Sequence, residues 1–321
     1  MTRKPTGTLN PLQACESICR ITARFRGKEP SFQPSPFVPT KSEANLITFS
    51  PWSFIAEGRK QMPSNIIMDM TWEEFRDRVG PDSVVVIPMG SVELEGLHLP
   101  LGTDTIVAEG VAQQLTDEEG ILLAPTINVG YSKWFKPFPG TISFEHDTLT
   151  RLLLDCCRCL FDHGIRRFVF LNAHKGNNAC VEDIARSMIA EKQIKIGMLS
   201  VWKLTNDLIQ GKGLIDEGKF THAGEIMTSV VMALRPDTVR TEKVRADGAK
   251  SPDGSLFKIR NSLGDTDFMG SVQTVFRDIR QVTDTGTLGN PQSASAEKGR
   301  KLLEMIVSYS KAYLQEFRKL E

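Results

Sequence analysis

Residues 84–104 read VVVIPMGSVELEGLHLPLGTD, and the fold follows from how this stretch divides. Val84-Val85-Val86-Ile87-Pro88 is a short unbroken apolar run, which suits a strand buried on both faces of a parallel sheet. A polar, Gly-containing loop begins at Gly90, and the spacing predicts a helix from Asp104 to Leu115. Strand, polar loop and helix in that order form the repeating unit of an α/β fold.

Working outward, the unit recurs. Ile121-Leu122-Leu123-Ala124-Pro125 and Phe168-Val169-Phe170-Leu171 are further buried-strand candidates, and 195–202 is a fourth. Helices are predicted over 149–163, 178–192, 225–234 and 296–317, with Gly164 as the left-handed residue that stops the first of these. Upstream, Thr71 with Glu74 three residues later forms a capping box. The expected architecture is a three-layer α/β/α domain with a mostly parallel central sheet and helices on both faces.

Residues 1–61 differ. They carry Pro5, Pro11, Pro30, Pro34, Pro36 and Pro39 among Thr, Ser and Lys, with little apolar periodicity. They read as a mobile or surface-wrapping extension before a domain over 62–321. Thr2-Arg3-Lys4 is not followed by the apolar region of a secretion signal. Across 321 residues, 39 Lys+Arg balance 39 Asp+Glu, which gives no electrostatic footprint for nucleic acid or an anionic membrane surface. No apolar run is long enough to span a bilayer. Six cysteines, three of them at Cys156, Cys157 and Cys159 on one predicted helix, do not form a disulfide framework. The expectation is a cytoplasmic globular protein.

In open α/β sheets ligands bind beyond the carboxyl ends of the strands. The loops there hold Glu93, Glu95, His98 and Asp104 after the Val84 run, and His174 and Lys175 after the Phe168 run. His222 and Glu225 open a later helix. Singly, such residues are most often solvated or structural. Their coincidence at strand ends points to a divalent metal site, with carboxylate and imidazole donors suited to Zn, Mn or Fe. Glu93 and Glu95, two apart in an extended segment, point the same way, and Asp104 at a loop-to-helix junction has the reach of a bridging carboxylate. Neither a G-x-S-x-G nucleophile elbow nor a G-x-G-x-x-G fingerprint is present.

Five segments, GSVELEGLHLPLGTD (90–104), FPGTISF (138–144), NAHKGNN (172–178), HAGEIMTS (222–229) and GTLGNPQSA (286–294), resemble the creatininase (creatinine amidohydrolase) family in content and order. The resemblance runs from Met62 to the C-terminus. It implies a three-layer α/β/α domain, often assembled into a homo-hexamer, with a dinuclear metal site that hydrolyses cyclic amides or related C–N bonds. It makes Glu93, Asp104 and His174 the ligands of one ion, with Asp104 bridging, and it makes His222 a general acid/base or substrate-orienting group near the ions, the alternative being a structural hydrogen bond at a helix start; Glu225, on the same turn, is a further catalytic candidate.

The chain departs from that pattern where the second ion would sit. Glu95 stands in place of a histidine, Leu94 in place of a glutamine and Met227 in place of a glutamate. Phe135 and Trp134 replace a histidine and its acidic neighbour, and Lys175 replaces a glycine. Glu95 remains a candidate ligand, and a carboxylate there hardens the site toward Mn or Mg. Trp134, Phe135 and Lys175 become candidate substrate contacts; Lys175 has three open roles, pairing with Glu95, pairing with an anionic substrate, or facing solvent. The expected function is a metal-dependent hydrolase with one or two ions, in which a metal-bound hydroxide attacks a carbonyl of a small polar substrate. That substrate is a cyclic amide, a formamide or an oxidised cyclitol such as a keto-inosose. The alternative is a metal-poor, non-hydrolytic binding or assembly subunit.

Overall fold

The computed structural model describes residues 64–252, 256–259 and 265–321, so the extension read over 1–61 lies outside the described residues. The first helix, α1 (Trp72–Arg78), starts on the expected capping box: Glu74 N donates to Thr71 Oγ1 at 3.3 Å and Thr71 N donates to Glu74 Oε2 at 2.7 Å. It leads into β1 (Val84–Met89), buried along its whole length. Next come α2 (Thr103–Gln113), β2 (Ile121–Leu123), α3 (His146–Asp162), β3 (Arg167–Asn172), α4 (Asn178–Lys192) and β4 (Lys195–Ser200). Helices α5 (Val201–Leu208) and α6 (Glu225–Leu234) precede three short strands, β5 (Lys258–Ile259), β6 (Asp265–Phe268) and β7 (Ser271–Thr274). A long helix, α7 (Ala296–Arg318), completes the order.

The main sheet is parallel throughout, in the order β2-β1-β3-β4. Alternate residues of each strand feed two cores. Val84, Val86, Val169 and Leu171 meet Val107 and Val111 of α2, Ile226 and Val230 of α6, and Leu302 and Ile306 of α7. Val85, Ile87, Phe168 and Phe170 meet Leu149 and Leu153 of α3 and Val181 and Ile184 of α4. Cover on both faces is why the strands read as unbroken apolar runs. Each such fully buried side chain contributes ~1.5–3 kcal/mol. The three-layer α/β/α architecture is therefore the observed one.

Three details differ from the sequence expectation. Helix α3 begins at His146 rather than Leu149, because its first three residues are polar and leave no apolar periodicity to read. The fourth strand stops at Ser200. Val201, Trp202, Leu204 and Thr205 are buried at helical rather than alternating spacing, and they form α5. The antiparallel sheet β5-β6-β7 is polar and largely exposed, so it carried no strand signal. Gly164 has φ +99 and ends α3 as expected, with Ile165 N donating to Leu160 O at 3.1 Å. Cys156, Cys157, Cys159 and Cys180 are free thiols. Among the described residues no helix is long and apolar enough to cross a membrane.

Candidate metal centre

The loop after β1 is held extended by its neighbours. Glu93 N donates to Leu101 O at 2.9 Å, Ile142 N to Val92 O at 2.9 Å, and Leu94 N to Thr141 Oγ1 at 3.2 Å. Two of the sequence motifs, 90–104 and 138–144, are thus joined edge to edge. In extended backbone alternate side chains share a side, so Glu93 and Glu95 both enter the interior, 2% and 0% exposed.

Sheet register supplies the next layer. Met89 pairs with Asn172, and Asn172 with Ser200. Two residues beyond each member of this row stand Ser91, His174 and Trp202, and all three converge on Asp104 in the first turn of α2. Ser91 Oγ donates to Asp104 Oδ2 at 3.0 Å, His174 Nδ1 lies 3.0 Å from the same oxygen, and Trp202 Nε1 donates to Oδ1 at 2.8 Å.

The ring orientation of His174 follows from its other nitrogen. Nε2 is 3.0 Å from the Tyr131 carbonyl, which only accepts, and 3.3 Å from Glu93 Oε2, while Nδ1 faces Asp104 Oδ2, so each ring nitrogen meets one carboxylate. Its backbone is pinned by Asn172, whose Oδ1 accepts from His174 N and whose Nδ2 donates to His174 O. Gly176 is required here for a steric reason: a Cβ would collide with the Tyr131 carbonyl and His174 Nε2. His222 is fixed in the same manner. Its Nε2 donates to Leu94 O at 2.8 Å, and Phe135 stacks on its ring with centroids 4.6 Å and planes 17° apart. The next residue, Ala223, takes φ +51, a left-handed conformation uncommon without glycine.

Two groups of three result. Glu93, Asp104 and His174 place ligand atoms within 4.8 Å of one another, and so do Glu93, Glu95 and His222. Glu93 is the shared member. Glu93 Oε2 and both oxygens of Glu95 are buried and have no hydrogen-bond partner among the described residues. Buried carboxylate oxygens without partners are costly unless a cation meets them. Burial pushes Glu93 up to about 7, with His174 opposing and Asp104 adding to the shift. Burial, then Asp104 and Glu93, push Glu95 well above the usual carboxylate range. His174 is desolvated, yet the carboxylates Glu93 and Asp104 outweigh this and hold it up to about 9. Burial takes His222 down to about 4, so it is neutral near pH 7. Three acidic groups crowded out of water, with oxygen and imidazole donors and only two histidines to balance them, fit one or two divalent cations.

The remaining candidates fall elsewhere. Glu225 is buried but belongs to neither group. Its carboxylate accepts from Lys298 Nζ at 2.5 Å and from Glu217 N at 2.8 Å, which ties the loop before α6 to α7. Its carboxylate is thus engaged away from the two groups, with Lys298 and the Glu217 backbone as its partners. Phe135 is buried against His222, and Trp134 donates from Nε1 to Arg277 O at 2.7 Å within a satellite cluster with Leu94, Ile279 and Leu288. Lys175 is exposed and makes no ion pair among the described residues, so it does not pair with Glu95. Sequence reasoning missed Ser91, Trp202, Ser132 (3.4 Å from His174 Nε2) and the Tyr131 and Leu94 carbonyls. Trp202 had a usable signal, its place at the carboxyl end of a predicted strand.

The family profile described as creatinine amidohydrolase matches residues 68–314. The chain is 28% identical over 261 residues to creatinine amidohydrolase of Pseudomonas putida, covering 76% of this chain and 94% of that one. It is 33% identical over 233 residues to the mycofactocin precursor peptide peptidase of Mycobacterium tuberculosis, covering 70% and 81%. With the 3-dehydro-scyllo-inosose hydrolase of Thermotoga maritima it shares 25% over 248 residues, covering 75% and 79%. Solved creatininase chains in Zn–Zn and Mn forms, each 27% identical, superpose with TM-scores of 0.67 and 0.66 over 80% of this chain and 99% and 100% of theirs. Fold, site and profile coincide over the same residues, and the chain belongs to the creatininase family.

Proposed function

We propose that this chain is a metal-dependent hydrolase that cleaves a C–N bond beside a carbonyl in a small polar substrate. The observation that carries the reading is the set of buried oxygens on Glu93 and Glu95 that accept no hydrogen bond, enclosed with Asp104, His174 and His222. Three carboxylates leave one negative charge after one divalent ion and one positive charge after two. Glu93, Asp104 and His174 would hold one ion, and Glu93, Glu95 and His222 surround the place for the other. Both sets are carboxylate-rich, which favours Mn or Fe over Zn. Divalent ions at such sites act as Lewis acids and make hydroxide accessible at neutral pH.

The protein's own contribution is orientation and proton transfer. His222 is neutral, its Nε2–H is committed to Leu94 O, and Nδ1 is left as the nitrogen that takes a proton and returns it to a leaving amine. Phe135 keeps the ring in one plane. The second role open to His222 is to bind an ion instead of moving a proton, a reading that its place in the Glu93–Glu95 group supports. The names of two of the relatives above, an amidohydrolase and a peptidase, support an amide-type C–N bond. The aromatics at 134 and 135 count against creatinine itself. Lys175, exposed beside His174, offers a cation to an anionic substrate group at the rim.

The test is turnover of a panel of creatinine, short peptides, formamides and keto-inososes with Mn or Zn added, in the wild type and in Glu93→Ala. Turnover and bound metal should vanish together in the variant. Full activity in Glu93→Ala would overturn the mechanism, and a wild type that takes up no metal would favour the binding-subunit reading.

A further inference from the structure

Two short turns meet beside the metal centre, and each begins with a lysine. Lys133–Phe135 and Lys175–Asn177 are both single turns of 3-10 helix. The residues just before them, Ser132 and His174, are buried and in contact, with Ser132 Oγ 3.4 Å from His174 Nε2. A Cβ on Gly176 would lie 2.2 Å from the Tyr131 carbonyl, so the two turns adjoin. Lys133 and Lys175 are therefore where the chain passes from the buried centre to solvent, and both are exposed, as is Lys136. Charge is not balanced there. Lys133 and Lys136 share the Glu145 carboxylate, at 3.4 and 3.7 Å, and Lys175 has no ion pair among the described residues. Asp147 and Asp183 face His146 instead. Three ammonium groups against one carboxylate leave a surplus of two positive charges. The three carboxylates beneath add one negative charge with one ion bound and one positive charge with two, so the sum is positive in either state. Exposed ion pairs such as those of Glu145 are weak, which leaves Lys133 and Lys136 free to turn to a bound anion.

We propose that Lys175, with Lys133 and Lys136, forms an anion subsite at the mouth of the metal centre, and that the substrate is an amide carrying a carboxylate or phosphate group near its scissile C–N bond. The proposal rests on the metal-dependent reading above and narrows its small polar substrate to an anionic one. A lysine ammonium meets either oxyanion as a point charge, without the fixed geometry of an arginine fork. A neutral substrate would leave the surplus charge unused.

The experiment is titration calorimetry on the full chain loaded with Mn(II), with three probes that share a metal-binding hydroxamate head. Their tails end in a carboxylate (succinic monohydroxamate), a phosphonate (3-phosphonopropanohydroxamate) or a neutral group (the carboxamide of the first). The wild type should bind at least one anionic probe about tenfold or more tighter than the carboxamide, the usual gain from a hydrogen bond to a charged group. Whichever anion gains more identifies the source, carboxylate or phosphate, and either supports the proposal. Lys175→Met should cut the preference to about threefold or less, and Glu145→Gln, which frees two lysines, should enlarge it. The preference should also shrink in high salt. Lys301, exposed on α7 and paired with Glu297, serves as the control: Lys301→Met should keep the wild-type preference. If Lys301→Met lowers it as Lys175→Met does, net charge explains the effect and the proposal is overturned. A wild type that binds the carboxamide as tightly as both anionic probes, or a preference unchanged in Lys175→Met, overturns it while leaving the metal-dependent reading intact. A wild type that takes up no Mn, or binds none of the three probes when loaded, overturns that reading and this proposal with it.

Discussion

Phe135 lies flat on His222, 4.6 Å between centroids, while Leu94 O accepts from His222 Nε2 at 2.8 Å. Ring plane and tautomer are thus set from two directions. Phe135→Leu should lower kcat roughly tenfold with metal content and KM near wild type, because the ring is freed but not removed. His222→Ala should lower kcat by about 10²–10⁴-fold, the usual loss for a general acid or base. Steady-state kinetics on metal-saturated protein separate the two. Equal losses in both variants would remove the case for a positioning role of Phe135.

Glu95 is a liability in the metal-free protein and an asset in the loaded one. Both its oxygens are buried without partners near Glu93 and Asp104. Glu95→Gln should therefore raise the melting temperature of metal-free protein, by roughly 2–4 °C for each kcal/mol of strain relieved. The same variant should show less stabilisation by added Mn than the wild type. Calorimetry with and without metal measures both, and a metal-free variant that melts lower than the wild type contradicts the account.

Metal binding should release protons. His174 is held up to about 9 and Glu93 up to about 7, so near pH 7 the first is protonated and the second about half so. An ion competes with those protons, and apparent affinity should rise with pH from about 6 to 9 and fall as pH drops through the same range. Titration calorimetry in buffers of different ionisation enthalpy should report more than one proton released in total. A heat independent of buffer would refute this.

Glu225 is buried and its partner Lys298 only partly so, and removing the carboxylate should cost stability and leave the chemistry alone. Glu225→Ala should destabilise by about 1–3 kcal/mol, the usual cost of leaving a buried donor such as Glu217 N unsatisfied, while Lys298 keeps Asp216 at 3.2 Å. Denaturant unfolding measures the loss. Metal content and kcat of the folded protein should be unchanged, and loss of either at full folding would return Glu225 to the site.

Much of this was legible in the residues because topology constrains where chemistry appears. The runs at Val84, Ile121 and Phe168 are apolar on both faces, which a strand in a two-sided parallel sheet requires and a surface strand does not. Parallel strands bring their carboxyl ends to one edge, so Glu93, Glu95, Asp104, His174 and His222 could be collected from separate loops. Glu225 was grouped with His222 because the two are three residues apart in sequence. On α6, however, its carboxylate is directed to Lys298, 73 positions away.

Determined by the sequence alone were the layers of the fold and the identity of the five acidic and imidazole groups, since periodicity and strand-end loops are local properties. Tertiary structure decided the rest: which carboxylate is common to both groups, what each histidine ring is held against, and what secures Asp104. These depend on the shared register of Met89, Asn172 and Ser200, which aligns Ser91, His174 and Trp202. They depend equally on backbone carbonyls at Leu94 and Tyr131, which every residue possesses and no sequence pattern marks.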